Sequence, residues 1–442
     1  MKIDSYFILD IGQTHIKYYL VNSKNFKIEK KIIFKNIYYN KFKNYNIFNY
    51  NKFKKDIFTF LKLIKKKYNL LKITSLSFGS TSFFIDTNNH VCPIILFNNK
   101  EDSLIENEYK KILPPYSRTL TPLLPNYHNL GKQIFFMKKK FNIKKNFQIA
   151  SLSNILAFIF SQKSAIDHSY LACHSHLFDF KTKKVSSLFS KLKINDTNIV
   201  SPYSYSSQIK KSVSRYLGIN EQTKIFYGCH DTNSSYFYHK KIFKKNFDVL
   251  CTGTWFVYLS ETCKIKYKRN NHNIYGNYSV DKKILNSFRF DGGIEYSNFN
   301  KVFKDDKFDS IYNINYSKLN KILLKNYSNI KNINKNHLFD SKEETKIIIS
   351  LQIALKVKMN LNLIGSKNKI IIDGNFVFNK YFIFFLSILC IKQKIFCYYG
   401  LNSALDGAIA SLNKKFNFRQ YHCINIKKLE ISNIVKKISL MY

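Results

Sequence analysis

The chain has 442 residues, room for two domains of ordinary size, and a hydrophobic content of 45% supplies their cores. Its net charge of +44 first suggests nucleic acid, but only five basic residues are arginine (Arg118, Arg215, Arg269, Arg289, Arg419), the side chain whose fork of donors reads bases and phosphates. The lysines run along the whole length, and the excess of Lys, Asn, Ile, Phe and Tyr is the residue set of A- and T-rich codons, so composition drift accounts for the charge and no nucleic-acid partner is expected.

The opening "MKIDSYFILDIG" carries Asp4 and Asp10 inside its apolar run and so does not read as a signal peptide. "YFILDIG" (6–12) reads as a strand broken by Gly12, "HIKYYLVNS" (15–23) as a second and "FKIEKKIIF" (26–34) as a third. The short turns between them predict an antiparallel meander. Residues 36–69 are helix or loop, too biased in Lys, Asn, Phe and Tyr to place. "ITSLSFGS" (73–80) is a strand ending at a glycine, and "QIASLSNILAFIFS" (148–161) a helix. In "CHSH" (173–176), strand alternation would put His174 and His176 on one face, but no second ligand pair accompanies them.

The opening pattern returns at "FDVLCTGTWFVYLSE" (247–261): apolar strand, one polar residue (Thr252 here, Asp10 before), a glycine (Gly253, Gly12), a hydroxyl residue (Thr254, Thr14) and a return strand. Two such hairpins predict two related domains, 1–243 and 244–442, joined near "KKIFKKN" (240–246). A capping box of Ser341 and Glu344 opens the long helix 341–364. "KIIID" (369–373) is a strand closed by Gly374. "YFIFFLSILCI" (381–391) is too short to span a membrane and reads as a buried helix. "KIFCYY" (394–399) is a strand, and Ser403 begins the last helix. Strands alternating with helices predict an α/β core. The eight cysteines (92, 173, 229, 251, 263, 390, 397, 423) form no CxxC pair and read as buried reduced thiols, and the protein as cytoplasmic.

A tight strand-Gly-strand turn presents successive backbone N–H groups to phosphate oxygens. Thr14 can add a hydroxyl donor and Lys17 a point charge, while Asp10 stands where a carboxylate can hold Mg²⁺ through waters. Gly253 and Thr254 repeat the arrangement, and Gly374 lets backbone approach a ring or ribose. An ordinary turn explains each of these pieces taken alone. In "YGCHDTNSS" (227–235), Asp231 suits either of two tasks. It can cap a helix, or it can take the proton from an alcohol attacking a γ-phosphate, since phosphoryl transfer asks the protein for positioning, charge neutralisation and one base.

Together "LDIGQTHIK", "FGSTSFFIDTNNH", "GCHDTNSS", "CTGTWFVYLSE" and "IIDGNFVFN" resemble the FGGY carbohydrate kinases, and within them the branch of rhamnulokinase and fuculose-type kinases. The resemblance runs from Tyr6 to about Leu412. It implies two actin-like, ribonuclease-H-like α/β domains flanking an ATP/sugar cleft, with the sugar site and first phosphate loop in the first domain and the second phosphate loop and adenosine site in the other. By the same resemblance Gln13, Thr14, His15 and Lys17, with Asp10, Gly12, Gly253 and Thr254, would bind ATP phosphates and Mg²⁺, and Gly374 would lie by the adenosine. Gly79, His230 and Thr232 would line the site of a small ketose such as rhamnulose, fuculose or xylulose, with Asp231 the general base. The implied protein is a monomer or homodimer with no membrane partner. Gln13 stands where the family has Thr or Ser, the adenosine loop is thinned to "DGNFVFN", and "FGSTSFF" and "DGGIEYSNF" (291–299) match loosely, which leaves the sugar open. Two alternatives use the same sequence: a nucleotide-binding switch of this fold, and a decayed kinase without sugar phosphorylation.

Overall fold

The computed structural model describes residues 1–86, 88–92, 94–141, 147–194, 197–261, 274–299, 313–326, 340–400, 402–416 and 421–424. The chain forms two compact units. The first comprises Met1–Tyr238, Tyr275–Ile284 and Ala404–Asn417, and the second His239–Ile274, Leu285–Ser403 and Phe418–Tyr442.

The first unit is built on a mixed sheet. Strand Ile3–Ile11 pairs antiparallel with His15–Asn22, which pairs antiparallel with Ile28–Lys35, giving the expected meander. On its other side Ile3–Ile11 runs parallel to Tyr68–Ser77. Lys224–Phe226 and Cys229–His230 both pair parallel with Tyr68–Ser77. The central strand, IDSYFILDI, is buried from Ser5 onward, as a strand covered on both faces should be.

Residues 36–69 resolve into three pieces: a hairpin of Tyr39–Phe42 with Tyr45–Phe48, the helix Tyr50–Ile64, and the start of the strand Tyr68–Ser77. The helix is amphipathic. Phe53, Ile57, Phe60, Leu61 and Ile64 face the core at helical spacing, and the side chain of Asn49 accepts from Lys52 N at the amino end. Lysines fill the other face, which is why composition hid the stripe.

The expected helix 148–161 is a helix only in its second half. Gln148–Ser151 is a strand pairing with Ser82–Ile85, a short 3₁₀ turn covers Leu152–Asn154, and Ile155–Ser161 is helical. Cross-strand pairing with Ser82–Ile85 overrides local preference there. "CHSH" is not a strand either. His174 and His176 both have positive φ, 55° and 61°. His176 is a satisfied core residue, its Nδ1 3.0 Å from Tyr109 Oη and its Nε2 3.1 Å from the Thr121 carbonyl. Among the described residues no group of three His, Cys, Asp or Glu side chains is arranged to hold a metal ion.

In the second unit, Phe247–Thr252 pairs antiparallel with Phe256–Ser260 and parallel with Lys369–Gly374, which continues to Ile395–Cys397. The environment of the first hairpin is thus repeated: an antiparallel return strand on one side, a parallel strand on the other. The helix Lys342–Ile364 packs on the helix Lys380–Leu389 over the core. Ser341 Oγ accepts from Glu344 N at 3.1 Å, while the Glu344 carboxylate reaches Asp340 N at 3.2 Å, one residue before the expected partner. By length and composition Lys342–Ile364 could cross a membrane, but 67% of its apolar window is buried inside the protein. Lys380–Leu389 is buried at every position after Lys380.

Cys173, Cys229, Cys390 and Cys397 are buried, Cys92 and Cys251 are half-buried and Cys423 is exposed. The expectation of burial therefore fails for Cys423, on a short carboxyl-terminal strand. Cys263 lies outside the described residues.

Candidate active site

Parallel strands with one hand of crossover leave their carboxyl ends together, and ligands of α/β sheets gather there. In the first unit three such ends lie side by side: Ile11 and His230 are both register partners of Ser77. Asp10, Gly79 and His230–Thr232 therefore arrive at one edge from segments about 70 and 150 residues apart in sequence.

Asp10 and Lys17 are cross-strand partners, and Lys17 Nζ lies 2.8 Å from Asp10 Oδ2. Burial alone would lower the Lys17 pKa, but the carboxylate of Asp10, with Asp231 beyond it, raises it to about 12. The intervening turn is held by Gly12 N–H donating to the His15 carbonyl at 2.9 Å and Asn36 Nδ2 donating to the Gly12 carbonyl at 3.0 Å. Tyr39 Oη donates to the Gln13 carbonyl. The side chains of Thr14 and His15 are exposed, and Gln13 is half-buried.

Asp231 opens the helix Asp231–Phe243. Its Oδ1 accepts from Thr232 N at 2.6 Å and Thr232 Oγ1 at 3.1 Å, and Thr232 Oγ1 lies 3.0 Å from His230 Nδ1. His230, Thr232 and Asp231 thus form a short hydrogen-bonded chain that fixes the carboxylate. The Asp231 side chain is 37% exposed against 7% for His230, so the carboxylate is the open end. Desolvation raises the Asp231 pKa, opposed by His230 and reinforced by the charge of Asp10. Burial would also neutralise His230, but Cys173, 3.9 Å from Nε2, together with Asp231 and Asp167 pushes it up to about 9. Gly79 lies against this imidazole: a Cβ there would stand 2.8 Å from His230 Nε2. Any side chain at 79 would displace the ring that steadies Asp231.

In the second unit, Gly253 and Thr254 form the exposed turn of the second hairpin, with Gly253 N–H donating to the Trp255 carbonyl at 3.2 Å. Gly374 is the register partner of Thr252, so the turn and the expected adenosine loop lie together. Thr252 Oγ1 joins them, donating to the Asp373 carbonyl at 2.6 Å and accepting from Phe376 N at 3.2 Å. Gly374 has φ +96° and ψ −168°, a conformation essentially confined to glycine.

Several residues beside these were missed from sequence. Ile294 N donates to the Thr254 carbonyl at 3.2 Å, which brings the loosely matched "DGGIEYSNF" onto the second turn. The Arg289 guanidinium lies 5.1 Å from the ring of Trp255. Asp373, just before Gly374, accepts from Ser403 and lies 3.2 Å from His239 Nε2. The double glycine of 292–293 was the one sequence signal for the first; nothing local marks the other two.

Every expected site residue therefore falls into one of two groups. Asp10, Gly12, Gln13, Thr14, His15, Lys17, Gly79, His230, Asp231 and Thr232 sit at the strand ends of the first unit. Gly253, Thr254 and Gly374 sit at those of the second.

No protein-family model matches the chain, and no curated protein matches it. Solved structures do. A carbohydrate kinase from Novosphingobium aromaticivorans is similar with a TM-score of 0.84 at 16% identity, over 98% of this chain and 99% of that one. Xylulose kinase from Lactobacillus acidophilus gives 0.73 at 14%, over 100% and 97%. Glycerol kinase from Plasmodium falciparum, solved with ADP, gives 0.68 at 15%, over 93% and 89%. The chain has the actin-like, two-domain α/β fold of these carbohydrate kinases.

Proposed function

We propose that the protein is an ATP-dependent carbohydrate kinase that transfers the γ-phosphate to a hydroxyl of a small sugar, with Asp231 as general base. The observation that carries this reading is the half-exposed Asp231 carboxylate, steadied by His230 and Thr232 at the same sheet edge as the Asp10–Lys17 turn. A base must be ionised yet avid for a proton, and a carboxylate whose pKa is raised by burial meets that need. In this reading His230 and Thr232 orient the base, while Gly79 keeps room for the imidazole. Lys17 and the backbone N–H groups of 13–15 in the first unit, and Gly253–Thr254 in the second, neutralise the phosphates, and Gly374 admits the adenosine. The sugars of the rhamnulokinase and fuculose-kinase branch remain within this proposal, as does xylulose.

The carboxylates present suit a Mg²⁺ ion delivered with the nucleotide, because that ion keeps most of its waters and asks for one or two carboxylates. Asp10 is the residue that would hold it, and when bound it would spread the charge on the transferring phosphoryl group. Lys17, 2.8 Å from the same carboxylate, would supply a positive charge beside that position. Two domains, 1–243 and 244–442, a cytoplasmic setting and a monomer or homodimer complete the proposal.

Asp231→Asn tests it. ATP consumption with L-rhamnulose, L-fuculose, D-xylulose, D-ribulose and glycerol should fall about 10²- to 10⁴-fold for the acceptor that wild type uses, while ATP binding measured by calorimetry survives. Full turnover in the amide variant would sink the mechanism. A wild-type protein that binds ATP but phosphorylates none of the five would favour a nucleotide switch, and one that binds no ATP a decayed kinase.

A further inference from the structure

The first hairpin turn is held by the segment that joins strand Ile28–Lys35 to strand Tyr39–Phe42. Three successive carbonyls of the turn accept from that one segment. Asn36 Nδ2 donates to the Gly12 carbonyl at 3.0 Å, Tyr39 Oη to the Gln13 carbonyl at 2.6 Å and Asn36 N to the Thr14 carbonyl at 2.9 Å. The two side chains are themselves joined, with Asn36 Nδ2 3.3 Å from Tyr39 Oη. Asn36 Oδ1 accepts from Tyr38 N at 3.3 Å, which fixes the end of the amide that faces the turn. Tyr38 anchors the segment in the core: its buried ring stands edge-on to Phe34 and Phe53, and its Oη donates to Asp56 Oδ2 at 3.0 Å.

A planar trans peptide points its N–H opposite its C=O. With the carbonyls of 12, 13 and 14 drawn toward Asn36 and Tyr39, the N–H groups of Gln13, Thr14 and His15 are turned to the other side. A turn without such holds can rotate a peptide unit, which would present a carbonyl oxygen, the negative end of the peptide dipole, in place of a donor. Donors fixed before an anion arrives need no reorganisation to receive it. Asn36 is 8% exposed and Tyr39 38%, so the amide is the inner hold and the phenol the outer one.

We propose that Asn36 and Tyr39 are positioning residues for phosphate binding, which hold the turn 12–15 in the orientation that offers its N–H groups to the nucleotide. This rests on the kinase reading above and deepens it. Neither residue need touch the nucleotide; both act through the backbone of the turn. They belong to the stretch 36–69, whose composition hides its structure, and lie outside every motif that marks the site.

Tyr39→Phe removes only a hydroxyl from a half-exposed ring, and Asn36→Ala removes the inner amide. ATP affinity measured by calorimetry should fall about five-fold in Tyr39→Phe, the factor that one hydrogen bond carries, and about ten-fold or more in Asn36→Ala. KM for ATP should rise by the same factors, while KM for the acceptor that wild type uses stays within about two-fold. Tyr39→Phe should melt within about 2 °C of wild type, and it carries the test alone if Asn36→Ala does not fold. ATP affinity in Tyr39→Phe equal to that of wild type overturns the proposal. So does a rise of both KM values together, which would make the contacts merely structural. A wild type that binds no ATP overturns the kinase reading itself and this inference with it, a distinct failure because it shows before any variant is made.

Discussion

At Asp231 stability and the proposed role as base pull in opposite directions. Desolvation raises its pKa from the ordinary 3.8, so the folded protein holds the proton more tightly than the unfolded chain does. The stability this contributes is complete below 3.8 and is lost as pH rises through the folded value. At pH 7 the ionised carboxylate is therefore a cost, moderated by its 37% exposure. Asp231→Asn removes the cost: its melting temperature at pH 7 should exceed that of wild type by about 1–3 °C, with the difference vanishing as pH approaches 3.8. A thermal scan series over pH reads this directly, and a destabilised amide variant at pH 7 would contradict it. Activity should follow the same groups. kcat/KM should rise with pH as Asp231 ionises, with a midpoint above 3.8, and decline again as His230 loses its proton at about 9. An acid limb at or below the ordinary carboxylate value would mean that another group is the base.

Among the elements, the strand Lys369–Gly374 and its turn carry the tightest steric demand. Gly374 sits at φ +96°, and a Cβ there would run into the Thr252 carbonyl oxygen of the neighbouring strand. The conformation alone costs a residue with a side chain about 1–3 kcal/mol, and the overlap adds to it. Gly374→Ala should lower the urea midpoint and, under the proposed function, weaken ATP affinity with it, because the same turn packs on Thr252, the residue before Gly253–Thr254. Unchanged stability in that variant would show that the turn relaxes freely. By contrast Lys356–Glu295, a half-exposed ion pair at 2.6 Å, should contribute little when broken, since exposed pairs are worth about 0–1 kcal/mol.

Across the whole molecule the dominant fact is the charge of +44. On the helix Tyr50–Ile64 the lysines lie on the outer face, while the apolar residues beside them close the core. Such an excess of one sign opposes compaction by self-repulsion, which salt screens: the Debye length falls from about 30 Å at 0.01 M to about 10 Å at 0.1 M. The melting temperature should therefore climb between those two salt concentrations, by a few degrees in a scanning fluorescence measurement. Insensitivity to salt would mean that local ion pairs already cancel the repulsion.

Wherever a period or a motif is local, the sequence was sufficient. The two hairpins, the strand 369–374, the capped helix after Ser341 and the helix start at "HDT" could all be read directly, because each is dictated by alternation, a glycine or a cap within a few residues. The helix Tyr50–Ile64 escaped because lysine and asparagine crowd its apolar stripe, and Gln148–Ser151 because its partner strand lies some 65 residues earlier. The site divides along the same line. Asp231 and the turn glycines announce themselves, whereas the Asp10–Lys17 pair, the buried Asn233–Asn277 hydrogen bond and the His239–Asp373 contact do not. Those depend on register across a hairpin or on segments tens to more than a hundred residues apart meeting in space, and in a chain so rich in lysine and asparagine no local signal separates a buried amide from its many solvated copies.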